Sequence, residues 1–478
     1  MRSDTSRPGP ILRAMVFTLS IGLWLSSPAA AQLERSAQTP SSTPALLDVS
    51  YLSHTPDLCG GAALAVVLRY CFVPDDWDGA SAAWNRRRQS RIDAITVTGA
   101  THTDHPVVVR ITGLEPRQLL TPEALARATR RLNELPAAAG TSLSCTPGRD
   151  GTVAVAAMVR EHDVWPTGLV DWATIGARAL LKDELVIDVA GPTGAGEVWT
   201  GSWRWASNRP RVGFELAIPA PHTLRGIVSL EALWERQAYA ASVVPGSDVD
   251  LFRVERWRGG IAVSDWMTGR LRWSAGAALD AFGRDRFVAT HGGVDVRLAG
   301  DRLALLVDGA LWAPIGGTPR FHRVSFLTTW LLAPAGPSSW MASAGVAAAS
   351  RRAPLAVWPA GDTATHREAL LRAHPLHDDG VVTGTVFGRH VAHASGEYHR
   401  SIYQGKPGHA MLVGFVDSAR AWQRAAPPDT PGWHVDVGLG FRFAASPTGG
   451  ALRLDVGYGL RDGNLAMSAG WVSRWPRR

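Results

Sequence analysis

The sequence predicts a mainly β protein: a transmembrane antiparallel β-barrel of about 16 strands preceded by one small α/β module. Three observations carry that expectation. From residue 164 onward, apolar and polar residues alternate with a period of two, segment after segment. The polar positions repeatedly hold Arg, Asp and Gly, as the lumen face of a barrel would. Trp outnumbers Tyr 20 to 6 and recurs near segment ends, where its amphipathic ring suits a membrane–water boundary.

Composition sets the outer bounds. With 46% apolar and 19% charged residues, the 478-residue chain is neither disordered nor fibrous. Three cysteines cannot supply a disulfide framework. Beyond the extreme N-terminus there is no apolar run long enough for a transmembrane helix, so any membrane crossing falls to strands. The net charge of +7 is almost all arginine, because lysine stands only at Lys182 and Lys406. Such a skew is what GC-rich coding produces, and no nucleic-acid partner is expected.

Residues 1–31 read as an export signal. Arg2, Arg7 and Arg13 precede the short apolar stretch Ala14–Leu25, and Pro28-Ala-Ala-Ala31 offers small residues for cleavage.

Residues 32–90 form an N-terminal extension. In it, His54-Thr-Pro-Asp-Leu-Cys59-Gly-Gly resembles the nucleophile segment of C39-type, papain-like cysteine peptidases, in which Cys-Gly opens a helix. A thiol at a helix N-terminus is acidified by the dipole, but catalysis also needs a base and an oxyanion donor. His54 stands where that family has its oxyanion-hole glutamine, and the resemblance stops at about residue 71. It implies a truncated remnant or a plug-like helical extension, with Cys59 vestigial and no catalytic residue in the chain. Cys145, on a later strand, is expected to be buried as an apolar residue.

Residues 91–163 change texture. Arg91–Gly99 reads as a strand, and Asp104–Ile111 as a short helix with Pro106 in its first turn. Thr121-Pro-Glu123 caps a second helix whose Leu125, Ala128, Leu132 and Leu135 form one buried stripe. Thr141–Pro147 and Thr152–His162 follow as a hairpin. The order is β-α-α-β-β.

Residues 164–478 alternate. Trp199, Trp203 and Trp205 share a face, as do Val435 through Phe443 and Leu452 through Leu460 at every second position. Asp436, Gly440, Arg442, Arg453, Asp455 and Gly457 occupy the opposite face. Two readings fit this pattern, a large soluble β-protein with its polar face outward or a barrel whose charged face lines a wet lumen. Segment length, number and Trp placement favour the barrel. Gly191-Pro-Thr-Gly-Ala-Gly196 lacks a phosphate-loop ending and reads as a turn. The histidines show no helical His-x3-His spacing, so neither a metal site nor a cofactor is expected.

The module's words, Ile95-Thr-Val-Thr-Gly99, Leu120-Thr-Pro-Glu-Ala-Leu125 and Asp150-Gly-Thr-Val-Ala-Val155, resemble a POTRA (polypeptide-transport-associated) domain. A POTRA directly before a barrel is similar to the barrel-assembly and surface-antigen superfamily of bacterial outer-membrane proteins. That resemblance implies a place in the outer membrane with the POTRA domain in the periplasm. It implies insertion or translocation of unfolded outer-membrane or secreted polypeptides, captured by strand addition at the POTRA edge, with outer-membrane lipid and periplasmic accessory proteins as further partners. Leu371-Arg372-Ala373-His374 stands where the family has a Val-Arg-Gly-aromatic word on a loop that folds into the lumen, with Ala and His here replacing the last two. The strand Phe415–Trp422 resembles the one whose acid meets that arginine, which implies a pair between Arg372 and Asp417; the alternative is two separately solvated lumen charges. The last strand, with Leu465, Met467, Trp471 and Trp475, resembles the family's terminal insertion signal. A barrel-tethered cysteine peptidase and a passive outer-membrane channel are the competing functions.

Overall fold

The computed structural model describes residues 90–472, apart from 149–151, most of 169–182, and 222–223, 241–250, 333–336, 361–370, 385, 406–407, 424–431 and 445–450. The expected export signal, the segment around Cys59 and Trp475 lie outside the described residues.

The first body runs β1 (Arg91–Thr98), α1 (His105–Thr112), α2 (Pro122–Asn133), β2 (Ala138–Pro147), β3 (Thr152–Glu161). Its sheet has the order β1-β3-β2, with β1 parallel and β2 antiparallel to the central β3. Local chemistry explains the ends of the helices. Pro106 sits at the start of α1, where its missing N–H costs nothing, and Gly113 ends the helix at φ 67. At α2, Thr121 Oγ1 accepts the Ala124 amide at 3.1 Å, and Arg130 and Arg131 complement the dipole at the other end. The buried stripe comprises Ala124, Ala128, Leu132 and Leu135, so Leu125 is displaced from it to a half-buried position. This stripe packs on Val155, Ala157 and Val159 of β3. Gly99, at φ +79, is required where β1 ends, because a Cβ there would lie 2.3 Å from the Val159 carbonyl oxygen. Cys145 departs from expectation: it is exposed, because the apolar core reaches Leu143 on β2 and stops short of it.

The second body is a sheet closed into a barrel. Its strands are β4 (Glu184–Ala190), β5 (Val198–Arg204), β6 (Arg211–Pro219), β7 (Ile227–Ala240), β8 (Leu251–Trp266), β9 (Leu271–Phe282), β10 (Asp285–Leu298), β11 (Leu303–Pro314), β12 (Phe321–Leu332) and β13 (Ser338–Ala349). There follow the two-residue β14 (His377–Asp378) and β15 (Val381–Val382), then β16 (His390–Gly405), β17 (Gly408–Trp422), β18 (His434–Ala444), β19 (Ala451–Gly459) and β20 (Leu465–Val472). β13 pairs directly with β16, so β14 and β15 belong to the intervening loop rather than to the wall. That leaves fifteen wall strands among the described residues.

Alternation places the side chains. On β19, Arg453, Asp455, Gly457 and Gly459 point inward and are buried, whereas Leu454, Val456 and Tyr458 point outward and are exposed. Around the wall, Trp203, Trp257, Trp330 and Trp340 are likewise exposed. An outer face of this kind suits lipid, and no helix among the described residues is long and apolar enough to cross a membrane. One part of the barrel interior is apolar. Near one end Phe282, Phe287, Trp312 and Phe321 of the wall meet Trp358 and Phe387 of the 350–389 loop in an apolar cap. Trp312 and Phe321 stack at 4.9 Å. Alternation alone could not reveal this, since the cap is completed by a loop that carries no strand pattern.

Every wall pair from β4 round to β20 is antiparallel, fourteen ladders in all, so β20 and β4 run in the same direction where the ring closes. The Val164 carbonyl accepts the Ala190 amide at one end of β4, and the Asp183 carbonyl accepts the Trp205 amide at the other, at 3.3 and 3.0 Å. Val164 and Asp183 therefore stand at opposite ends of β4.

Candidate functional site

The loop between β13 and β16 turns back into the lumen, and residues 371–374 are its anchor. Leu371 packs against Val386 and Ala419 and is fully buried. Next to it the Arg372 side chain, 3% exposed, reaches across to β17, where its Nε lies 3.0 Å from Asp417. It also pairs with Glu397 on β16, lies 4.0 Å from Asp455 on β19, and stacks over the Phe415 ring at 3.8 Å.

Each carboxylate has further donors. Ser395 Oγ donates to Asp417 at 2.6 Å, and His399 Nε2 lies 2.6 Å from Glu397. Arg442 donates to Asp455 at 2.5 Å, with Arg453 on its other oxygen. Three guanidinium groups thus face three carboxylates, which is the balance that lets so many charges be buried. The resemblance read from the sequence implies a pair between Arg372 and Asp417, and the structure brings the two side chains together. Glu397 and Asp455 were not singled out. Their signal was present in the inward positions of β16 and β19, but alternation says only that they face the lumen, not which lumen charge they meet.

The following residues extend the anchor. The Ala373 amide donates to Asp436 at 2.6 Å and its carbonyl accepts from Asn464. The His374 imidazole sits between Asp436 at 2.8 Å and Asp462 at 2.7 Å. Space for this backbone comes from the wall, since a Cβ on Gly457 would lie 2.9 Å from the Ala373 nitrogen. The terminal residues stand apart from the anchor. Leu465 and Met467 face outward and are exposed, and Trp471 pairs in register with Leu452.

The first body docks on the turns at the opposite rim. Arg131 of α2 makes a two-pronged bond to Asp265 at 2.7 and 2.5 Å and also donates to the Trp266 carbonyl at 3.1 Å. Trp266 Nε1 donates back to Glu134 at 2.9 Å, and the Gly269 amide donates to Glu123 at 2.7 Å. The turn Gly191–Gly196 holds three glycines at positive φ, and its Gly194 carbonyl accepts the Asp104 amide at 2.9 Å. Arg225, on the β6–β7 turn, pairs with Glu115 at 3.0 Å.

Within that body, Glu161 accepts the backbone amides of Thr101, His102 and Thr103 at 2.9, 2.8 and 2.7 Å. Burial alone would raise its pKa, but the hydrogen bonds from Thr103, His102 and Thr101 outweigh it and hold the carboxyl at about 2. This ties the β1–α1 loop to the end of β3.

A groove of about 630 Å³ runs between β1 and α1, lined by Ile95, Val97, Pro106 and Val109, with Arg110 and Arg225 at its side. β1 is an outer strand of its sheet: among the described strands it pairs with β3 alone, and Arg91 at its start bridges Leu119. Its start is covered by the 117–118 turn, where the Ile92 amide donates to the Gln118 carbonyl and the Arg117 amide to the Ile92 carbonyl. The groove flanks the later part of the strand. An extended chain laid there could bond its backbone to β1 while its alternate side chains enter the groove.

No protein-family model and no curated protein matches the sequence. Solved structures do match. CdiB from Escherichia coli is 12% identical with a TM-score of 0.56, the match covering 98% of this chain and 99% of that one. CdiB from Acinetobacter baumannii is 10% identical with a TM-score of 0.50 over the same shares. BamA from Haemophilus ducreyi lacking POTRA domains 1-3 is 12% identical with a TM-score of 0.47, covering 80% of this chain and 85% of that one. At these identities the likeness to CdiB is one of fold.

Proposed function

We propose that this chain is an outer-membrane barrel that inserts or translocates another polypeptide, with residues 91–163 serving as a single periplasmic POTRA domain and residues 164–478 as the barrel. The observation that carries this reading is the half-open strand β1 beside an apolar groove, held at the barrel mouth by Arg225. Strand addition needs a free edge and side-chain pockets at every second position, and Ile95 and Val97 supply such a surface. The β-α-α-β-β order and the whole-length likeness to the CdiB fold support it. The work is non-covalent: templating of the client at β1 and the barrel rim, with Arg372 holding the lumen loop in place. The client class on this reading is an unfolded outer-membrane or secreted polypeptide.

The test is a photo-cross-linking residue at Val97 of the full-length protein in outer membranes, challenged with a urea-held precursor of another outer-membrane protein. An adduct at Val97, and none from the exposed Met158 of β3, is the expected result. Equal labelling at both positions, or at neither, removes strand capture from the account. The apolar cap, in which loop residues Trp358 and Phe387 pack on the wall inside one end of the barrel, counts against a passive channel.

A further inference from the structure

Three side chains from distant parts of the chain converge at the tip of the lumen anchor: His374 of the loop, His434 at the start of β18, and Asp462 in the β19–β20 turn. One donor atom from each lies within 4.8 Å of the other two. Both histidines are almost wholly buried, at 3% and 1% exposure. We propose that they form a transition-metal site, of the kind that takes Zn²⁺, which staples the lumen loop to the last two hairpins of the barrel.

The geometry argues for it on three counts. First, the separations suit an ion. His374 Nε2 and His434 Nδ1 lie 2.7 and 4.0 Å from the same Asp462 oxygen. Those distances bracket the roughly 3.3 Å edge of a tetrahedron with bonds of about 2.0 Å, so drawing the three donors around an ion takes side-chain shifts of about 1 Å. Second, the donors are of the right chemistry. Two imidazoles and one carboxylate, with a position left for water, are a borderline nitrogen–oxygen set that selects Zn²⁺ and its neighbours over Mg²⁺ or Ca²⁺. Third, the outer support is built. Asp436 Oδ1 stands 2.8 Å from His374 Nδ1, on the far side of the ring from Asp462. A carboxylate behind a ligating histidine fixes its tautomer and raises its basicity. Asp462 is held in turn by the Asn464 amide, which donates to its other oxygen at 3.2 Å. Gly459 makes room, as a Cβ there would lie 2.9 Å from the His374 ring. Without a metal the same pocket can hold a proton on His374 between the two carboxylates, so metal and proton compete for one place. The site stands independently of the transport reading; only its use as a lock on the loop rests on it.

The test uses the full-length protein in detergent, stripped with a chelator and dialysed against Co²⁺ and then Zn²⁺. One ion per chain is expected, with the intense visible bands of a low-symmetry Co²⁺ site that Zn²⁺ bleaches. His434→Ala and Asp462→Asn should each abolish the bands, and Asp436→Asn should weaken binding about 10–100-fold. His322→Ala, at an exposed position, should leave them unchanged. Heat-modifiable gel migration identifies variants that keep a folded barrel. A wild-type spectrum that stays that of hydrated Co²⁺ overturns the proposal whatever the variants do, and so does a coloured complex that survives in folded His434→Ala.

Discussion

Gly457 of β19 and Ala373 of the lumen loop meet backbone to backbone, so closely that a methyl group on the glycine would lie 2.9 Å from the Ala373 nitrogen and 2.9 Å from the Arg372 carbonyl carbon. The wall, not the loop, provides the missing side chain. Gly457→Ala should therefore push the loop off β19 at a cost of about 1–3 kcal/mol while the barrel still closes. Conductance across planar bilayers reads this out, with several-fold larger or more frequent openings expected from the variant. Unchanged conductance in a folded variant would mean that the loop does not control the lumen.

Arg372 neutralises more than one acid. Arg372→Ala leaves Glu397 and Asp417 facing each other in a buried site, and removing one partner of a buried pair costs about 3–5 kcal/mol. The temperature at which unboiled protein loses its compact gel migration should fall accordingly. Adding Asp417→Asn should recover part of the loss, because the two substitutions act on one network. Strict additivity in that cycle would argue against direct coupling across the 3.0 Å contact.

Glu161 supplies a pH dependence. Its carboxyl is held at about 2 in the fold, below its ordinary value of 4.5. The stabilisation is therefore complete above about pH 4.5 and fades as the pH falls toward 2. The protection factors of the Thr101, His102 and Thr103 amides, which are the intrinsic rate at each pH divided by the observed exchange rate, should fall over that acid window in the wild type. In Glu161→Gln those protection factors should already be low at neutral pH and nearly independent of pH; wild-type-like protection in that variant would contradict the latch.

The Arg131–Asp265 bond fixes the first body to the barrel rim at 2.7 and 2.5 Å. Arg131→Ala should free α2 from the β8–β9 turn and open the link around residues 162–168 to protease, with the barrel core intact. A charge-reversed pair, Arg131→Asp with Asp265→Arg, should restore part of the protection. Identical digestion of wild type and Arg131→Ala would show that the other turn contacts suffice.

Strand alternation made the barrel legible, since Asp455 and Val456 must face opposite ways wherever the strand lies. Capping chemistry did the same for α2, where Thr121, Pro122 and Glu123 announce a start before any tertiary contact exists. Three things were not legible. The exposed position of Cys145 depends on how far the helices overlie β2, which local sequence does not encode. The apolar cap depends on Trp358 and Phe387, which sit in a segment without periodicity. The convergence of His374, His434 and Asp462 depends on strand register, and no spacing along the chain reports a meeting of residues so far apart.

Closure of the ring between strands of like direction has a consequence for what could be spliced there. Parity decides it. One guest strand entering between the described β20 and β4 can run antiparallel to both neighbours at once. A guest hairpin brings two strands, and one of its edges must again lie parallel to its host. Between like-directed neighbours an odd number of inserted strands would leave every contact antiparallel, and an even number would not.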